Sequence, residues 1–141
     1  MFGSPDAECA VATRISRFVH DPHNAVRAVR LTGALADQFG LQPLSVGEGY
    51  LTADSPLPSR LVTSFEVIEE LPFDMRRVKA MLRLRSIGQL EIKQRGVSYN
   101  PRELNRALKP RGDNIATLLI TSRNSGVIAI LARRRDQKEP T

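Results

Sequence analysis

The sequence predicts an α/β fold of the α+β kind, a mixed β-sheet with helices packed on it. Three observations carry that expectation. Two helix-start signals, at Asp74 and at Asn100-Pro101, fall between β-type runs. Ser64–Leu71 alternates, with Phe65, Val67 and Glu69 on one side and Glu66 and Ile68 on the other. The chain then closes on two β-branched runs, Ile115–Thr121 and Val127–Ala132. They are joined by Ser122-Arg123-Asn124-Ser125-Gly126, the pattern of a hairpin with glycine late in its loop. At 141 residues and 41% hydrophobic, the chain is expected to be one domain, or one domain with an extension, and can bury a core without staples.

Taken in order, residues 1–13 read as a loose lead-in or a short helix, and Arg17–His20 as a short strand. Asp21-Pro22 reads as an N-cap followed by proline at the first helical position. That helix would run to Phe39 on Ala25, Val29, Leu31, Leu35, Ala36 and Phe39, and stop at Gly40. Residues 41–64 are loop-rich, with a strand around Gly49–Ala53. The strand Ser64–Leu71 ends at Pro72. Asp74 caps a helix to Arg85, with Val78, Met81 and Leu82 on one face and Gly88 as its stop. Leu90–Arg95 is a strand with Leu90 and Ile92 inward, broken at Gly96. Asn100-Pro101-Arg102-Glu103 is a capping box opening a helix that buries Leu104, Ala107 and Leu108 and ends before Pro110. The C-terminal half is therefore strand-helix-strand-helix-strand-strand, ending in a β-hairpin. The expected domains are a helix- and loop-rich extension over 1–64, a compact module over 65–133 and a flexible tail over 134–141.

The net charge of +6 is unevenly spread: residues 1–70 hold 5 Lys/Arg against 9 Asp/Glu, and residues 71–141 hold 16 against 6. Such asymmetry points to a polyanionic partner. The cations also have order. About 100° per residue places Arg76, Lys79 and Arg83 on one stripe of the first helix and Arg102, Arg106 and Lys109 on one stripe of the second, followed by Arg111. Lys93 and Arg95 share the strand side opposite Leu90 and Ile92. If these faces converge, they form a phosphate-binding groove. With no tryptophan, and only Phe73 and Tyr99 as aromatics in the basic half, base stacking is not supported. Backbone and shape contact is the expected mode.

Other chemistry lacks its residues. One cysteine, Cys9, excludes a disulfide framework and a cysteine-based zinc site within the chain. His20-Asp21-Pro22-His23 offers two histidines and an aspartate, too few for a closed metal site. A hydrolase built on a His–Asp pair with Ser16 or Ser45 has no supporting motif. Gly47-Glu48-Gly49 lacks the strand, third glycine and helix of a phosphate loop. Asn100-Pro101 is followed by Arg102 and Glu103, not by the proline and aromatic residue of amino-group methyltransferases. No apolar run nears the roughly 20 residues that span a bilayer, and no secretory start is present, so a cytoplasmic location is expected.

Leu90–Gly96 (LEIKQRG), Asn100–Leu108 (NPRELNRAL) and Arg111–Arg134 (RGDNIATLLITSRNSGVIAILARR) closely resemble the THUMP-like domain at the C-terminus of certain bacterial class I S-adenosylmethionine-dependent methyltransferases. The matching pattern is Ile92-Lys93-x-Arg95-Gly96, a helix led by Pro101, Gly112-Asp113-Asn114-Ile115-Ala116-Thr117, and a final hairpin. Upstream, HDPHNAVRAVRL, GYLTAD and FEVIEELPFD extend the resemblance to residues 17–133, with 1–64 matching the region that follows the methyltransferase domain. The catalytic domain itself would precede His20, where 19 residues stand, so the glycine-rich cofactor loop has no counterpart. The resemblance implies a non-catalytic RNA-binding accessory module without cofactor or metal, whose partners are structured RNA such as tRNA and a methyltransferase domain in cis or in trans. Residue by residue it nominates Lys93, Arg95, Arg111 and Asn114. The alternative is a protein-interaction module that pairs in trans with a separate methyltransferase or with itself.

Overall fold

The computed structural model describes residues 14–23, 41–44, 49–55, 62–123 and 126–135. Its seven strands and two helices are β1 (Phe18–Pro22), β2 (Gln42–Pro43), β3 (Leu51–Ala53), β4 (Val62–Pro72), α1 (Met75–Leu84), β5 (Ile87–Arg95), α2 (Pro101–Leu108), β6 (Asn114–Arg123) and β7 (Gly126–Arg134). The fold is α+β, with a mixed sheet and a closing β6–β7 hairpin, as the sequence predicts. The chain divides into two compact units, one of residues 1–66 with 134–141 and the other Val67–Arg133.

In the first unit the strand order is β2-β3-β1-β4. β1 is buried along its whole length because it pairs antiparallel on both edges, with β3 and with β4. Phe18, Val19, Leu44, Tyr50, Leu51, Val62 and Phe65 fill its core. Here the helix start expected at Asp21-Pro22 is corrected. Both residues belong to β1, opposite Thr63 and Val62. A cap signal is local, and the long-range pairing overrides it. Beyond His23 the expected helix to Phe39 lies outside the described residues. β2 is a strand where a loop was expected. Arg135, in the segment expected as a tail, donates its N–H to the Ser64 carbonyl at 2.9 Å.

In the second unit the order is β4-β7-β6-β5. β5 runs parallel to β6, and β6 antiparallel to β7. Strand alternation sends Ala116, Leu118 and Ile120 of β6 and Ala129 and Leu131 of β7 to the face that receives Val78, Met81 and Leu82 from α1 and Leu104 and Leu108 from α2. Each of the Val, Leu, Ile and Met side chains among them stabilises the fold by about 1.5–3 kcal/mol on burial. α2 is only eight residues long, so its core stripe is Leu104 and Leu108, and Ala107 is exposed rather than buried.

Gly88 is a second correction. α1 ends at Leu84, with Arg85 as C-cap and Ser86 making the turn at φ +56°, and Gly88 lies inside β5. Its lack of a side chain serves a close approach instead: a Cβ there would collide with the Gly112 carbonyl. No helix among the described residues is long and apolar enough to cross a membrane.

Candidate nucleic-acid interface

α1 and α2 are built to one plan. Each opens on a side-chain cap whose oxygen accepts from the N–H groups two and three residues on: Asp74 from Arg76 and Arg77, Asn100 from Arg102 and Glu103. Each buries the residues four and eight positions past its cap, Val78 and Leu82 in α1, Leu104 and Leu108 in α2. Each carries an arginine two positions past it, Arg76 in α1 and Arg102 in α2; nine positions past it stand Arg83, in the last turn of α1, and Lys109, the C-cap that follows α2. The same phase against the same core turns Arg76, Arg83 and Arg102 to solvent, and all three are exposed, as is Lys109. Lys79, half-buried, and Arg106, exposed, lie between them.

Contacts at both ends fix the relation of the helices. Phe73 and Tyr99, each immediately before a cap, pack with ring centroids 5.1 Å apart at 45°. At the far end the Asn114 N–H donates to the Ser86 carbonyl at 3.0 Å, and its side-chain amide donates to the Arg85 carbonyl at 2.9 Å. The turn that follows α1 is thus stitched to the start of the strand that follows α2. The two helices therefore run side by side in the same direction, packed on each other and on the core.

The remaining nominated residues distribute around this pair. Arg111 is exposed in the loop between α2 and β6. Lys109 is the C-cap of α2, in left-handed backbone at φ 48°. Asn114 is exposed but already holds the two bonds just given. Lys93 and Arg95 are not brought together with the helices. Leu90 and Ile92 pack toward the helix-side core, which sends Lys93 and Arg95 to the other face of the sheet. Both are half-buried and both already hold interactions. Sequence reasoning passed over Arg77, exposed in the first turn of α1, and Arg85, which pairs with Glu69 at 3.0 Å. The matched phase of the two helices was also missed, although the recurrence of cap, apolar and basic positions is written in the sequence.

The histidine segment is structural. His20 is fully buried, its Nε2 3.0 Å from the Ser55 carbonyl and its Nδ1 2.8 Å from Ser64 Oγ. A carbonyl only accepts, so Nε2 donates and Nδ1 receives the Ser64 hydroxyl proton. Burial lowers the His20 pKa below its ordinary 6.5, against a smaller upward pull from the Ser55 bond. With both ring nitrogens engaged, His20 has no lone pair for a metal, and no group of three metal-ligating side chains occurs among the described residues.

Comparison with known proteins bears on the same stretch. A family model described as THUMP domain-like matches residues 62–134, which include both helices and the hairpin. An uncharacterized S-adenosylmethionine-dependent methyltransferase of Mycobacterium tuberculosis, from strain CDC 1551 / Oshkosh, is 33% identical over 125 residues, which is 89% of this chain and 34% of that protein. Its counterpart in strain ATCC 25618 / H37Rv matches equally. The chain thus spans about a third of the length of these relatives. The crystal structure of a protein assigned as a methyltransferase from Porphyromonas gingivalis W83 superposes with a TM-score of 0.73 at 20% identity, covering 93% of this chain and 32% of that one. At that identity the likeness establishes the fold.

Proposed function

The chain belongs to the THUMP domain-like family, and from that premise we propose that it is a non-catalytic module that binds structured RNA on behalf of a methyltransferase. The observation that carries this reading is the set of exposed cations, Arg76, Arg83, Arg102, Arg106, Lys109 and Arg111, on one compact unit inside the family match. Lys79 and Asn114 complete the proposed contact set, whereas Lys93 and Arg95, which alternation sends to the face of the sheet away from the helices, stand outside it. Phosphate contact by such residues supplies affinity without base recognition. The named methyltransferase relatives support the association with that chemistry. The reading assigns catalysis to a separate methyltransferase domain, in cis or in trans.

The test is filter binding of the whole chain to an unmodified tRNA transcript at about 50 mM salt, where the counterion-release term is large. Saturable retention that is lost by about 200 mM salt is the expected result. No retention at low salt sinks the RNA reading. Calorimetric titration with S-adenosylmethionine is expected to give no heat, and micromolar binding would overturn the non-catalytic part. A second reading, docking on a separately encoded methyltransferase, is favoured by Leu84 and Ile115, which are 85% and 69% exposed. A protein partner that survives nuclease and high salt in a pull-down would select it.

A further inference from the structure

We propose that the RNA this module takes is double-stranded and lies across the α1–α2 face, its two strands each following one row of cations. The inference rests on the RNA reading above and adds to it a face and a form of RNA.

The geometry comes from the shared plan of the helices. Arg76 and Arg83 are seven residues apart on α1, a row about 10 Å long at 1.5 Å per residue; on α2 the row is Arg102 and Arg106, followed by Lys109 as the left-handed C-cap. The helices start level with each other at Phe73 and Tyr99. Arg76 and Arg102, each two residues past its cap, therefore stand at the same height, and packed helices set the axes about 8–10 Å apart. Two phosphate strands flanking the wide, shallow minor groove of an A-form helix can engage cations of both helices at once.

Two further features point the same way. Single-strand binders rely on aromatic side chains as stacking platforms. The two aromatic residues of this unit, Phe73 and Tyr99, are packed on each other and against the core, so their faces are committed. Lys93 and Arg95 project from the opposite face of the sheet, half-buried and already engaged, which removes them from the same duplex. The carboxylate nearest the rows in sequence, Glu103 in the first turn of α2, offsets part of the charge and leaves the balance positive.

The test uses the whole chain and three probes of one sequence: a 20-base-pair RNA duplex, its single strand and the DNA duplex. Wild type is expected to bind the RNA duplex about tenfold tighter than the single strand and several-fold tighter than the DNA. Changing Arg76, Arg83, Arg102 and Lys109 together to Gln is expected to reduce the slope of log K against log salt by about 3, some 0.7–0.9 per lost phosphate contact. Lys93→Gln with Arg95→Gln is expected to leave duplex affinity within about twofold, because no phosphate contact is removed. Changing the three arginines to Lys keeps the charge, and retention of the slope there guards against a folding defect in the Gln variant. Single strand preferred over duplex, equal binding of DNA and RNA duplexes, or a defect confined to the Lys93–Arg95 pair would each overturn this assignment while leaving RNA binding intact. Failure of wild type to bind any probe, tRNA included, would remove both readings.

Discussion

His20 shows how a residue that looks chemical in the sequence is spent on structure. Its buried ring gives a proton to the Ser55 carbonyl and takes one from the Ser64 hydroxyl, so the neutral form is the one that fits. Because burial lowers its folded pKa, the unfolded chain binds the proton first as the pH drops below about 6.5. The contribution is therefore fully present above that pH and declines from there down to the folded pKa, below which it changes no further. Urea midpoints of wild type minus His20→Gln should be flat from pH 8 to 7 and should shrink from pH 6.5 to 5. An unchanged difference across the lower range would mean that His20 is not the titrating group. The same residue marks what was legible. The ligand types of His20-Asp21-Pro22-His23 could be read from the sequence. The segment's true place in β1 could not be read, because it depends on Thr63 and Ser64 some 40 residues later. Gly88 likewise looked like a helix stop, and the reason for its glycine lies at Gly112.

At the scale of elements, what is encoded locally was legible. Asp74 and Asn100 announced α1 and α2 by cap chemistry, and both caps form, each side-chain oxygen accepting from the N–H groups two and three residues on. The hairpin was legible from its two β-branched runs and the glycine late in its loop. The relation between the two cation stripes was not, since a stripe reports the phase of one helix and says nothing about its neighbour. The level start of the helices needs Phe73 against Tyr99, residues more than 20 apart in sequence. Nor could alternation in β5 say which face of the sheet would meet the helices, and hence that Lys93 and Arg95 would stand apart. The caps themselves give a prediction. Replacing Asn100 with Ala removes the acceptor for two N–H groups and is expected to cost about 1 kcal/mol, with Asp at that position restoring it. Equilibrium denaturation measures both. A loss below a few tenths of a kcal/mol would show that water satisfies those N–H groups equally well.

For the molecule as a whole, charge is what separates the two units. Residues 67–133 hold 13 Lys/Arg against 6 Asp/Glu, whereas residues 1–66 with 134–141 hold 8 against 9, so the imbalance noted in the sequence belongs almost wholly to the second unit. A surplus of like charge in one small unit opposes its own compaction, and a polyanion relieves it. Screening acts on those two effects with opposite sign. Raising salt from about 20 to 200 mM shortens the Debye length from roughly 20 Å to below 10 Å and weakens repulsion among the exposed arginines, so the free chain should melt a few degrees higher. The same change should release RNA, because the counterions it displaced are no longer dilute. The stabilisation that a tRNA transcript confers should therefore shrink as the melting temperature of the free chain rises. Thermal melts with and without RNA across that salt range test both halves together. A free chain that loses stability with added salt would show that ion pairs such as Arg85–Glu69 outweigh the repulsion. The exposed cations would then be held by intramolecular partners and would not stand ready for phosphate.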